Sequence, residues 1–256
     1  MSLLAALSFL TTIPIPYKGK ISSEDLGRST LYFPLVGLII GLILVGLNWL
    51  LTLFLPSTIV NGLIIVSLVI ISGALHLDGF VDTCDGIAGH KTVEDRWLVM
   101  HDSRAGAFGI IGVFLLLLVK YISLNSLPGD LMIMTLVLVP LIGRWTMVYA
   151  IFAYPYARPV GLGKVFKEGT NWQSLVIATV GMLVVALAIV WIAKVSYFYL
   201  VALAVILIPW VIIVLLAKYL KQKFSGLTGD TYGMINEVAE VGVLVMISLL
   251  AYNGFI

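Results

Sequence analysis

Charge is scarce in this chain. Of its 256 residues only 11% are Asp, Glu, Lys or Arg, against about 25% in a soluble globular domain, while 61% are hydrophobic. The mean hydropathy is +1.12. Cysteine occurs once, as Cys84, which excludes an internal disulfide and a cysteine-based zinc site. A net formal charge of +2 is too small for a nucleic-acid-binding surface. The opening "MSLLAALSFLTTIPIPYKGK" has neither a basic leader nor a small-residue cleavage pattern, so it does not read as a secretory signal. The fold class these figures leave is an all-α, polytopic integral membrane protein, with residues 1–256 as one domain in a lipid bilayer.

Crossing a bilayer by helix takes about 20 mainly apolar residues. Runs of that kind fall at 31–54, 59–77, 105–123, 131–153, 174–193, 197–217 and 238–254, which predicts seven transmembrane helices. The opening apolar stretch is too short to span and is ended by Pro14 and Pro16, so an interfacial or re-entrant segment is expected there. Polar segments remain at 16–30, 78–104, 154–173 and 218–237. They hold Lys18, Lys20 and Arg28; Lys91, Arg96 and Arg104; Arg158, Lys164 and Lys167; and Lys218, Lys221 and Lys223. Those are 12 of the 15 basic residues, and seven spans put all four segments on one side. The positive-inside rule makes that side cytoplasmic, with the N-terminus inside and the protein in the cell membrane. Of 13 acidic residues only Asp130 falls on the other side, so the chemistry is expected at the cytoplasmic face.

The densest acidic stretch is "LHLDGFVDTCDG", residues 75–86. Continued as a helix, it puts Asp78, Asp82 and Asp85 at i, i+4 and i+7, within roughly 60° of one face. Like charges so spaced destabilise a helix, and a hard divalent cation would offset that cost, Mg2+ being held by carboxylates together with substrate phosphate. The plainer reading is a solvated helix end. Gly79 and Gly86 flank the acids, and "GIAG" at 86–89 permits close approach of backbone or ligand.

Further ionisable groups gather in three places. In "HDSRAGAFG", residues 101–109, Asp102 is a candidate general base or metal ligand and Arg104 a candidate phosphate clamp, the alternative being a salt bridge between them. Arg144 lies inside an apolar span, where an arginine marks a functional site or a buried pair. Near the last span Asp230, Asn236, Glu237 and Glu240 follow one another; a helix N-terminus accounts for one glutamate, and the group suggests a second part of the same site.

Together these stretches resemble the cobalamin synthase family, the adenosylcobinamide-GDP ribazoletransferases. The resemblance rests on "FLTTIPIP" (9–16), "FPLVGLIIG" (33–41), "LHLDGFVDTCDG" (75–86), "MHDSRAGAFG" (100–109), "RWTMVYAIFAYPYAR" (144–158) and "GLTGDTYGMINEVAEV" (226–241), in family order over nearly the whole chain. Cys84 stands where the family pattern has a small residue. The resemblance implies a membrane enzyme that joins α-ribazole, or its 5′-phosphate, to adenosylcobinamide-GDP with release of GMP and a requirement for Mg2+. On that reading Asp78, Asp82, Asp85 and Glu237 hold the metal. Arg144, Asp230, Asn236 and Glu240 bind substrate, and Asp102, His76 and Arg104 are catalytic, either Asp102 or His76 serving as the base. A homo-oligomer is compatible with this. The acidic motif is also similar to the D-x2-D-G core of the CDP-alcohol phosphotransferases (Asp82, Asp85, Gly86), whose other spacings do not match. A secondary transporter is the competing class, since ionisable residues within a membrane also mark ion pathways, but the charges gather at one face.

Overall fold

The computed structural model describes residues 1–15, 21–88, 92–102 and 104–256. Pro16, Lys18, Lys20, Gly89 and Lys91, all used above, lie outside them. The described chain is built of helices, and its only β-type contact is a single parallel bridge between Tyr156 and Leu227. In chain order the helices are α1 (Ser2–Leu10), α2 (Ser23–Arg28), α3 (Phe33–Leu51), α4 (Ser57–Ile71), α5 (Leu75–Ile87) and α6 (Val93–Met100), then α7 (Ala107–Asn125), α8 (Met132–Ala153), α9 (Leu162–Gly169), α10 (Trp172–Ile192), α11 (Phe198–Phe224) and α12 (Gly229–Tyr252).

Among the described residues six stretches are long and apolar enough to cross a membrane, and a seventh crossing is made if the bent pair α4–α5 counts as one. This agrees with the seven spans expected, with two differences. The second crossing ends at Ile71 rather than 77, because Gly73 and Ala74 both take positive φ (62° and 56°) and α5 leaves at 88° to α4. Ala74 in that left-handed region is uncommon for a residue with a Cβ. The freed end of α4 is covered by the N-terminal segment, Thr12 donating its backbone N–H to the Ile71 carbonyl (2.7 Å) and its hydroxyl to Ile70 (3.0 Å). The segment 218–237, expected to be a polar connection, is largely helical: α11 runs on to Phe224, and α12 starts at Gly229 behind a capping box in which Thr228 and Thr231 exchange side-chain-to-backbone bonds. The opening stretch forms the nine-residue α1, which buries Ala5, Ala6 and Leu10 and is too short to cross.

At the centre stands α8, buried on every side from Leu136 to Val148. Transmembrane helices approach closely where small residues face each other, and Gly37 and Gly41, one turn apart on α3, serve that purpose here. A methyl at Gly41 would come within 2.8 Å of the Leu136 carbonyl and the Val137 Cα. The same device joins α5 to α12. A methyl at Gly79 would lie 2.7 Å from the Asp230 carbonyl, and one at Gly233 would lie 3.0 Å from that of His76. Backbone contact there brings the acidic helix onto the first turns of α12. The Tyr156–Leu227 bridge, with Ala157 donating to Leu227 (2.8 Å) and Leu227 to Pro155 (2.9 Å), lays residues 155–158 beside the same turns.

Candidate active site

These contacts enclose a cavity of about 640 Å³ at one end of the bundle. Its polar lining is His76 and Asp78 from α5, His101 just past α6, Asp230 from α12, and Arg158 from the strand-like segment. Its aromatic lining is Phe9 of α1, Trp97 of α6, Phe166 of α9, Tyr232 and Tyr156, the last within reach of the Arg158 and Asp230 charges. Arg158 Nη2 lies 3.2 Å from Asp230 Oδ2 as an ion pair without hydrogen-bond geometry, and its Nε has no partner. His76 is 1% exposed and neither ring nitrogen has a partner. Buried polar groups are normally bonded, so an orphaned imidazole in a cavity wall is a group reserved for something else.

The helix predicted from the acidic spacing is present as α5, but its three aspartates have separate environments. Asp78 is exposed and faces the cavity. Asp82, one turn on and half-buried, feels the charges of Asp78, Asp230 and Asp85, with Arg158 as the compensating cation. Asp85 accepts the backbone N–H groups of Gly106 (2.8 Å) and Gly109 (2.9 Å) and so caps α7 from a distant helix. The glycines are required there because the carboxylate occupies the space a Cβ would need. Among the described residues no three His, Cys, Asp or Glu side chains stand ready to hold a metal. The expected triad is therefore split: Asp85 caps α7, Asp78 lines the cavity together with Asp230, and Asp82 lies one turn beyond Asp78, outside the cavity lining.

Two further expectations are corrected. Asp102 and Arg104 do not join the cavity. They pair with each other through two bonds, Nε to Oδ1 at 3.0 Å and Nη2 to Oδ2 at 2.7 Å, along a separate open groove shared with Asp85. The guanidinium holds the Asp102 carboxyl down at about 2, which makes it a weak base, and Arg104 spends its fork on Asp102.

Arg144, Asn236, Glu237 and Glu240 lie together in a buried network rather than around a metal or a phosphate. Lys120 of α7 donates to Glu237 (2.6 Å) and to Glu240 (2.5 Å). Arg144 bonds the other Glu240 oxygen, which also accepts from Asn236 (3.1 Å). Two cations and two anions thus balance within the membrane-spanning helices α7, α8 and α12. Sequence reasoning missed Lys120 and Arg158. A lone lysine inside the apolar run 105–123 was the signal for the first; Arg158 stood in a quoted stretch, but nothing local tied it to Asp230.

The fold and this cavity define a multi-pass membrane protein whose ionisable groups are concentrated in a pocket at one end and a sealed network beneath it. The model of the cobalamin-5-phosphate synthase family matches residues 2–248, so the chain belongs to that family. It is similar to adenosylcobinamide-GDP ribazoletransferases of Geotalea daltonii (36% identical, covering 97% of this chain and 96% of the relative) and Roseiflexus sp. (35%, covering 96% and 88%). The one from Pseudomonas fluorescens is 36% identical, covering 95% and 97%. No solved structure matches.

Proposed function

We infer that the chain is an adenosylcobinamide-GDP ribazoletransferase, joining α-ribazole or its 5′-phosphate to adenosylcobinamide-GDP in the nucleotide-loop assembly step of vitamin B12 synthesis. The observation that carries this reading is the pairing of a full-length family match with one cavity where carboxylates, an arginine and an unbonded imidazole converge. In the reaction a ribose hydroxyl attacks the phosphorus that carries the cobinamide ester. The bond to the second phosphorus breaks, and GMP leaves.

Transfers of this kind depend on positioning and on neutralising phosphate charge. Arg158, with donors to spare, takes a phosphate oxygen. By position His76 is the residue to accept the hydroxyl proton, its unbonded ring nitrogens lying in the cavity wall while Asp102 is elsewhere, although burial and the Arg144 charge weaken it as a base. Asp78, Asp82 and Asp230 would hold Mg2+, which needs only one or two carboxylates beside substrate phosphate and would supply charge stabilisation at the transferred group. The three acids whose charge reaches Asp82, against the single cation Arg158, support that assignment.

Detergent-purified protein should release GMP from adenosylcobinamide-GDP when given α-ribazole and Mg2+, and lose that activity on chelation. No GMP release under any metal condition would refute the activity. Asp102→Asn should leave turnover within about fivefold of wild type, the scale of an exposed ion pair; a loss of a hundredfold would return Asp102 to the mechanism.

The distribution of basic residues supports a cytoplasmic cavity end and an external C-terminus in the cell membrane. Cysteines at positions 164 and 223 should react with an impermeant thiol reagent only in inverted vesicles, and one at 127 only in intact cells. Labelling of 127 and 164 from the same side would overturn this orientation.

A further inference from the structure

The polar wall accounts for phosphate and metal, which leaves the aromatic wall without a task. Its members are held firmly. Tyr156 lies against Gly161 and Gly163, where any side chain would collide with its ring. Phe9 packs on Phe166 with centroids 4.7 Å apart, and Phe166 meets Phe33 edge-on at 5.6 Å. Two polar atoms on this side make no hydrogen bond: Nε1 of Trp97 and the hydroxyl of Tyr232, whose side chain is 2% exposed. An N–H and an O–H, both buried in an apolar surround and both unbonded, carry a cost that a matching acceptor would relieve.

We propose that this wall is the pocket for the flat base of the nucleoside acceptor, and that Trp97, Tyr156 and Tyr232 are the residues that select it. The proposal rests on the transferase reading and assigns one of its two substrates to a place. Dimethylbenzimidazole, the base of α-ribazole, is a planar hydrocarbon-like ring whose only free hydrogen-bonding atom is a ring nitrogen acceptor. Aromatic faces stack on such a ring, the apolar remainder of the wall (Met147, Ile151, Val160, Leu162) suits its methyl groups, and an unbonded N–H or O–H suits its nitrogen.

Guanine, the other base in the reaction, fits less well. Its edge carries several donors and acceptors, of which the unbonded Trp97 N–H and Tyr232 O–H would meet at most two, leaving the rest to compete with phosphate and metal for His101, Arg158, Asp78 and Asp230. Size points the same way. A cavity of about 640 Å³ is in the range that buries a drug-sized ligand, enough for a nucleoside and a phosphate but not for a whole corrinoid bearing GDP. With the base against the aromatic wall, the ribose hydroxyl reaches the side where Asp78, Asp230 and Arg158 stand.

Tyr156→Ala and Tyr232→Phe, the second a change of one hydroxyl that keeps the packing, decide the matter in two assays on the detergent-purified full chain. Steady-state kinetics should show KM for α-ribazole raised about tenfold or more in Tyr156→Ala and about fivefold in Tyr232→Phe. KM for adenosylcobinamide-GDP should stay within twofold in both. Equilibrium dialysis of α-ribazole alone should show the same losses, with binding of GMP unchanged. A selective loss of affinity for GMP or the GDP-bearing substrate would place guanine on this wall and overturn the proposal. So would unaltered α-ribazole binding in both folded variants. Wild-type protein that binds α-ribazole yet releases no GMP would refute the transferase reading while leaving the pocket assignment supported.

Discussion

Asp82→Asn should abolish turnover while leaving the protein folded in the membrane. The side chain is half-buried on α5, one turn beyond Asp78, and the charges that reach it are those of Asp78, Asp230 and Asp85 against a single Arg158. Three acids facing a fourth with one cation between them store repulsion that a divalent ion would discharge. On the proposed metal role the amide would remove a ligand from that ion, and it takes one negative charge from the cluster. A metal bound at a transferring phosphoryl group is worth several kcal/mol of transition-state stabilisation, and each 1.36 kcal/mol is tenfold in rate. The expected loss is therefore on the order of a hundredfold or more. Without Mg2+ the variant should melt at or above the wild-type temperature, since a repulsion has been relieved. The two readouts together separate a metal ligand from a structural residue: a structural Asp82 would lower the melting temperature along with the rate. Wild-type GMP release by Asp82→Asn, with its Mg2+ dependence intact, would remove Asp82 from the site.

The membrane helices were legible in the sequence because a bilayer demands long apolar runs, and 105–123, 131–153 and 174–193 correspond to α7, α8 and α10 within two residues. The helical phase of Asp78, Asp82 and Asp85 was legible for the same kind of reason, as spacing alone sets it. What each aspartate faces was not. Asp85 is claimed by backbone N–H groups 21 and 24 residues downstream, a contact that exists only once α5 has turned aside from α4. That turn depends on Ala74 adopting a left-handed conformation, for which its residue type gives no sign. The start of α12 could have been found, because the Thr228–Thr231 box is a helix-start signature lying inside a stretch read as connection. The four ionisable or polar residues assigned to chemistry beneath the cavity went astray through one omission. Without Lys120, a helix N-terminus accounts for only one of the two glutamates, which leaves Glu237 to a metal and Glu240 to substrate.

That partner makes a second large effect predictable. Lys120→Met should destabilise the protein by about 3–5 kcal/mol, the cost of removing one member of a buried ion pair and leaving the rest uncompensated. Lys120 is 3% exposed and serves both glutamates, so its loss strands two carboxylates among α7, α8 and α12 with Arg144 bonded to only one of them. Lys194 provides the comparison: it is an exposed lysine at the end of α10, and Lys194→Met should change stability by no more than a few tenths of a kcal/mol. The charge balance also predicts rescue. Lys120→Met combined with Glu237→Gln removes one charge of each sign, leaves the Arg144–Glu240 pair in place, and should recover a substantial part of the loss. Arg144→Ala should resemble the single lysine variant, with lowered stability and no preference between substrates in whatever activity survives. Arg144→Lys keeps the charge but loses the planar guanidinium, so it should recover only part. Denaturant-induced unfolding in detergent micelles measures all five variants on one scale. Additive losses in the double variant, where compensation is expected, would show that Lys120 and Glu237 act independently. A well-folded Arg144→Ala protein that binds α-ribazole normally and adenosylcobinamide-GDP poorly would move Arg144 from the network to the substrate.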